Sequence, residues 1–282
     1  MDSPGADDEK LTGESAACCL CCRNTEEEET WSFTFKDDEV GEFVGCRISD
    51  SLLSWALFRS LYAVFMFVVL VLCAIQYSLF MGGQWLYFLT MWTFIIQTFY
   101  AIFSAYATWA YGYFAQYDPE PLRDPPGIFY ALWITENLLL SFTFFVFIGF
   151  WAIVFPAGVV LDFTIVATHG VNWVLMLTDR YFSTMPAVRM KHVYVPITYG
   201  MIYYLWSIIH AYSGLDNGPI EGKALYPITD YNNHPLLLLS GPIAILIFIP
   251  LVHYANQQLV RLSEHCLPRP GQTTAEHHVE MA

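Results

Sequence analysis

The chain is poor in charge, and poorer still in positive charge. Of 282 residues only 13% are Asp, Glu, Lys or Arg, and 12 basic residues face 26 acidic ones for a formal net charge of −14. A soluble domain carries about 25% charged residues, so this composition argues against a soluble globule. Nucleic-acid binding is excluded by sign, because phosphate is repelled. A content of 56% hydrophobic and 17% aromatic residues excludes a disordered chain. What fits is an all-α, polytopic membrane protein.

Other absences narrow this further. Met1 to Lys10 is acidic, with neither a basic n-region nor an apolar h-region, so the first apolar segment, starting near Leu57, is expected to direct insertion. The loops assigned to the outer side contain no cysteine, so no structural disulfide is expected there. They also contain no N-x-[ST] sequon.

The charge that is present is unevenly spread. Residues 1–50 hold 14 acidic and 4 basic side chains, residues 51–254 hold 9 and 6, and residues 255–282 hold 3 and 2. The reading is an acidic, disordered cytosolic tail over 1–50, a six-helix transmembrane domain over 51–255, and a polar cytosolic tail over 256–282. A spanning helix needs about 20 mainly apolar residues. Six such runs fall at 57–80, 86–111, 128–150, 157–178, 193–212 and 236–255. Turn chemistry breaks them at Met81-Gly82-Gly83-Gln84, at Asp118 to Gly127, and at Pro156-Ala157-Gly158. Arg180 to Lys191 and Ser213 to His234 separate the last three runs.

A cytosolic N-terminus gives the inner side Lys10, Arg23, Lys36, Arg47, Arg59, Arg123, Arg180, Arg189, Lys191, Arg261 and Arg269, and leaves the outer side only Lys223. That bias sets both termini in the cytosol. The sequence leaves the compartment open between the plasma membrane and the endoplasmic reticulum.

The run Cys18-Cys19-Leu20-Cys21-Cys22 is too crowded for a tetrahedral zinc site. Palmitoylation of Cys18, Cys19, Cys21 and Cys22 is the expected use. Polar residues inside spans are costly and mark functional candidates. Here they are Gln76, Thr90, Gln97, Glu136, Asn137, Asp162, His169, Asn172 and His210. Glu136 lies about 12 Å into its helix at 1.5 Å per residue and needs a partner. His169, His210 and His253 sit at different depths, so neither haem nor a metal is expected, and no cofactor is.

Several short motifs resemble a known family. Gly82-Gly83-Gln84-Trp85-Leu86-Tyr87-Phe88-Leu89-Thr90, then Ile96-Gln97, is similar to a stretch of the androgen-induced and androgen-dependent membrane proteins. So are His169 followed by Asn172 to Asp179, and Gly200 to His210 followed by Leu225-Tyr226-Pro227. The rolling stone family of invertebrates, associated with myoblast fusion, is the nearer resemblance. It rests on Trp55-x3-Arg59, Leu89-Thr90-x-Trp92, His169-x2-Asn172, Pro186, Tyr226-Pro227 and Asp230 to Pro235. It covers about residues 50–255 and leaves the acidic head outside.

The resemblance implies an intramembrane hydrolase of fatty acid esters of hydroxy fatty acids, with Thr90 as the threonine nucleophile and His169 as the histidine. Glu136 falls where that family also has an acid. The acid that follows the family's threonine by two residues is Trp92 here. Independently, a threonine hydroxyl needs an adjacent base to act as a nucleophile. Thr90 and His169 lie about 7 and 10 Å below the outer surface at 1.5 Å per residue, so they can meet. Asn172 and His210 are supporting candidates in the same region.

Two functions remain open at this level. One is a threonine/histidine ester hydrolase whose partners are membrane lipid and a lipid ester substrate. The other is a non-catalytic protein of cell–cell fusion or muscle development, using the 22 residues from Ser213 to His234 as a contact surface. A solute transporter is disfavoured, because the two halves share no broken-helix pattern.

Overall fold

A computed structural model describes residues 41–49, 51–116, 127–155, 160–186, 188–215 and 224–267. The acidic head up to Val40, with its cysteine cluster, and the tail from Pro268 lie outside the described residues. Among those described, helix is the only extended secondary structure, joined by one isolated antiparallel bridge between Cys46 and Ser183.

Six helical rods run in sequence. Helix α1 (Leu52–Met81) starts at Ser51, whose hydroxyl accepts the Ser54 N–H. It ends at Gly82, which takes φ 58° and ψ −133°, a conformation glycine alone adopts without strain. A 3-10 segment, Gly82–Tyr87, carries the chain to α2 (Leu89–Ala107). Helix α3 (Gly127–Gly149) continues as a π-turn over Phe150–Val154. Rod α4 (163–182) combines Phe163–Val166, a π-turn Ala167–Val171 and Asn172–Phe182. Helix α5 is Tyr194–Ser213. Rod α6 (235–266) holds 3-10, α and π segments before its last helix, Ile249–Cys266.

Three of these rods, Leu52–Tyr87, Gly127–Val154 and Pro235–Ser263, are long and apolar enough to cross a membrane. Of the other three, α2 and α5 carry no Asp, Glu, Lys or Arg, and α4 carries Asp179 and Arg180. Along α1 both faces are apolar: Ala56, Met66 and Cys73 are buried, while Leu57, Leu61, Val64 and Val68 are exposed. A helix apolar on its outer face suits lipid rather than water, which marks a membrane protein.

Two of the rods differ from the expected spans at one end. Helix α1 begins five residues before 57, which sets Arg59 about two turns into the helix, fully buried. Rod α4 runs past 178 to Phe182 and so takes in Asp179 and Arg180. The reason is pairing. Arg59 Nε donates to Asp179 Oδ1 at 2.9 Å, and Tyr100 donates to Asp179 Oδ2 at 2.7 Å. Arg59 also donates to the Phe43 carbonyl at 2.8 Å and to Thr108 Oγ1 at 3.0 Å. Arg180 Nη1 donates to Glu136 Oε1 at 3.3 Å and to the Met185 carbonyl at 3.0 Å. These two buried ion pairs join α1, α2, α3 and α4 to the segment 41–49. Removing one partner of such a pair strands a buried charge, at a cost of about 3–5 kcal/mol.

Candidate functional site

The start of α2 places Thr90. Phe88 is extended (φ −85°, ψ 136°) and Thr90 is the second residue of the helix. Trp92 Nε1 donates to the Leu86 carbonyl at 2.6 Å. Tyr203 and Trp206 donate to the Tyr87 carbonyl at 3.0 and 3.2 Å. The chain entering α2 is therefore held by side chains of α2 and α5. As the first N–H groups of a helix, those of Leu89 and Thr90 have no intrahelical acceptor.

His169 sits on the π-turn of α4. Such turns insert one residue into a helix and recur at functional sites. Its ring stacks on Phe150, with centroids 3.9 Å apart, and Trp151 Nε1 donates to its carbonyl at 2.9 Å. His169 Nδ1 lies 3.0 Å from the Ile165 carbonyl and 3.0 Å from Thr168 Oγ1. The Thr168 hydroxyl donates to the Thr164 carbonyl at 2.8 Å, so its oxygen faces His169 as an acceptor. Two acceptors at Nδ1 place the ring proton there and leave Nε2 with a free lone pair. That Nε2 lies 3.2 Å from Thr90 Oγ1. The arrangement is a hydroxyl, a base and a group orienting the base, which is the geometry of an activated nucleophile.

Both residues line a cavity of about 540 Å³, within the size range of small-molecule sites. Thr90, His169, Tyr203 and Tyr226 form a polar end. Phe142, Phe145, Val146, Phe150, Ile245 and Phe248 give an apolar wall built by α3 and α6. Ile148, Ile153 and Ile243 line the same cavity and are also exposed on the apolar outer surface. The cavity thus reaches the face that lipid would cover.

The other candidates lie off the cavity wall. Glu136 is held by Arg180. The Asn172 side chain accepts from the Trp173 N–H at 2.7 Å, and its carbonyl accepts from Gln97 Nε2 at 2.7 Å. His210 is buried between Tyr87 and Trp206, with ring centroids 5.2 and 5.9 Å away. Cys18, Cys19, Cys21 and Cys22 lie outside the described residues. Among the described residues, no group of three or more His, Cys, Asp or Glu side chains is placed to hold a metal.

A second hydroxyl–histidine pair escaped the reading of the sequence. Ser141 Oγ lies 3.3 Å from His253 Nδ1, and His253 Nε2 donates to the Arg189 carbonyl at 3.0 Å. Both side chains are fully buried and neither lines the cavity. A serine on one span and a histidine on another give no sign of meeting until helices are assigned to neighbours. No family model, curated protein or solved structure matches the chain.

Proposed function

We propose that this chain is a multi-pass membrane ester hydrolase in which Thr90 is the nucleophile and His169 its general base. The observation that carries the reading is the 3.2 Å approach of Thr90 Oγ1 to His169 Nε2 at the polar end of an apolar cavity. Thr90 attacks the ester carbonyl and His169 takes its proton. The tetrahedral intermediate expels the alcohol, which His169 protonates, and leaves an acyl group on Thr90. A water molecule, deprotonated by His169, then releases the acid and restores Thr90. The apolar wall suits a long acyl chain, so the substrate class is a lipid ester. The resemblance of the Gly82–Thr90 and His169 motifs to the androgen-induced family supports the same assignment.

The proposed topology has six spans with both termini cytosolic, supported by the basic residues, eleven of twelve of which then lie inside. The non-catalytic reading needs the loop before α6 as a free surface. In the described part of that loop, Tyr226, Thr229 and Tyr231 turn inward and line the cavity.

Purified protein in detergent should hydrolyse a fluorogenic long-chain ester. Thr90→Ala should lower that rate by about 1,000-fold or more, as loss of a nucleophile does. Equal rates for the two proteins would sink the assignment.

A further inference from the structure

The loop between α5 and α6 delivers Tyr226 to the start of α2. Tyr226 is extended (φ −139°, ψ 158°), the conformation favoured before a proline, and Pro227 opens the 3-10 turn Pro227–Thr229. Thr229 locks the turn. Its Oγ1 accepts the Tyr226 N–H at 2.9 Å and donates to the Tyr226 carbonyl at 2.9 Å. The Tyr226 ring meets Phe88 edge-on, with centroids 5.6 Å apart. Its hydroxyl faces the Thr90 hydroxyl and the backbone N–H groups of Leu89 and Thr90, with the Tyr203 hydroxyl beside it. Tyr226 also lines the cavity next to Thr90 and His169.

We infer that Tyr226 is a further catalytic residue, its phenol forming with the N–H groups of Leu89 and Thr90 the donor set that holds the substrate's carbonyl oxygen as it becomes an oxyanion. The inference rests on the hydrolase reading of Thr90 and His169. In attack, a bond forms between Thr90 Oγ1 and the carbonyl carbon, and the carbonyl π pair moves onto oxygen. The Thr90 proton goes to His169 Nε2. Tyr226 keeps its own proton throughout and only donates a hydrogen bond. Burial pushes its phenol above the ordinary value, so it enters the reaction protonated. Donors fixed before reaction stabilise the developing charge without reorganising. The two N–H groups are unused by the helix and face the Tyr226 oxygen, which comes from a different element, so an entering carbonyl oxygen takes their bonds over from the phenol and meets all three donors on one side of Thr90.

The test is Tyr226→Phe, which keeps the ring against Phe88. The kcat for the long-chain ester should fall about 100- to 1,000-fold with KM unchanged, the loss expected for one such donor. A long-chain trifluoromethyl ketone, which forms a tetrahedral adduct with Thr90, should bind weaker by the same factor, while the ether analogue of the substrate binds as before. Wild-type turnover that needs Thr90, combined with an unaltered Tyr226→Phe protein, overturns the role of Tyr226 alone. So does a variant that loses ether and ketone binding equally, which marks a packing role. Absence of Thr90-dependent turnover in the wild type overturns the hydrolase reading and this inference together.

Discussion

Thr90 Oγ1 lies 3.2 Å from His169 Nε2, and the opposite nitrogen of that ring lies 3.0 Å from the Ile165 carbonyl. The carbonyl can only accept, so the ring proton stays on Nδ1 and the lone pair faces the hydroxyl. The same logic holds for Ser141 and His253, with the nitrogens exchanged. What separates the two pairs is access: one lines a cavity and the other is sealed. The account therefore makes opposite predictions for chemically similar groups.

His169→Gln keeps a polar side chain beside Thr90 but removes the base. Ester turnover should fall about 100- to 10,000-fold, the usual worth of general-base catalysis. Membrane insertion and yield should match the wild type, measured by membrane fractionation. Loss of insertion would make His169 a structural residue instead.

Ser141→Ala should leave turnover within about twofold of the wild type, because Ser141 is not at the cavity. It should still destabilise the protein. His253 Nδ1 would be left buried and unpaired, a cost of about 1–3 kcal/mol. Thermal unfolding in detergent reads the loss.

Arg180→Met should strand the Glu136 carboxylate and lower stability by about 3–5 kcal/mol. Adding Glu136→Gln to Arg180→Met should restore most of it, because no unpaired charge remains. If the double variant is as unstable as the single one, the ion pair is not what holds α3 to the end of α4.

Gly200 lets the cavity reach between α3, α5 and α6. A Cβ there would sit 3.1 Å from both Ile245 Cγ1 and Phe142 Cζ. Gly200→Leu should shift selectivity from long to short acyl chains by about tenfold or more, since each misplaced methylene counts. Overpacking should also cost about 1–3 kcal/mol of stability. An equal loss for all chain lengths would place the acyl chain elsewhere.

The topology can be read with thiol chemistry. In a protein with Cys18, Cys19, Cys21 and Cys22 changed to Ser, Cys266 is the exposed thiol. Cys46 is buried, which pushes its thiol above the ordinary value and keeps it protonated and unreactive. An impermeant maleimide should label Cys266 only from the cytosolic side of sealed vesicles. Asn233→Cys, in the exposed part of the loop before α6, should label only from the other side. Labelling of both from one side would contradict the six-span arrangement.

The sequence made the helical bundle legible, because long apolar runs separated by glycine and proline leave little choice. The resemblance singled out Thr90 and His169, and counting residues showed only that their depths allow them to meet. Arg59 and Arg180 were legible only as charges. Arg180 read as a loop residue and Arg59 as a charge at the end of the first span, because pairing with Glu136 and Asp179 is what lets them enter the bundle, and pairing is a property of neighbours. Tyr226 stood out only as part of a short motif in a polar loop. Its approach to Thr90 depends on the turn locked by Thr229 and on the docking of that loop against α2, neither of which has a periodic signature.

The most direct test is to treat membranes containing the wild-type protein with a fluorophosphonate and to map the adduct by mass spectrometry. The account predicts a phosphonyl group on Thr90 that disappears in Thr90→Ala and persists in Ser141→Ala. An adduct on Ser141, or none on a folded wild-type protein, would contradict it.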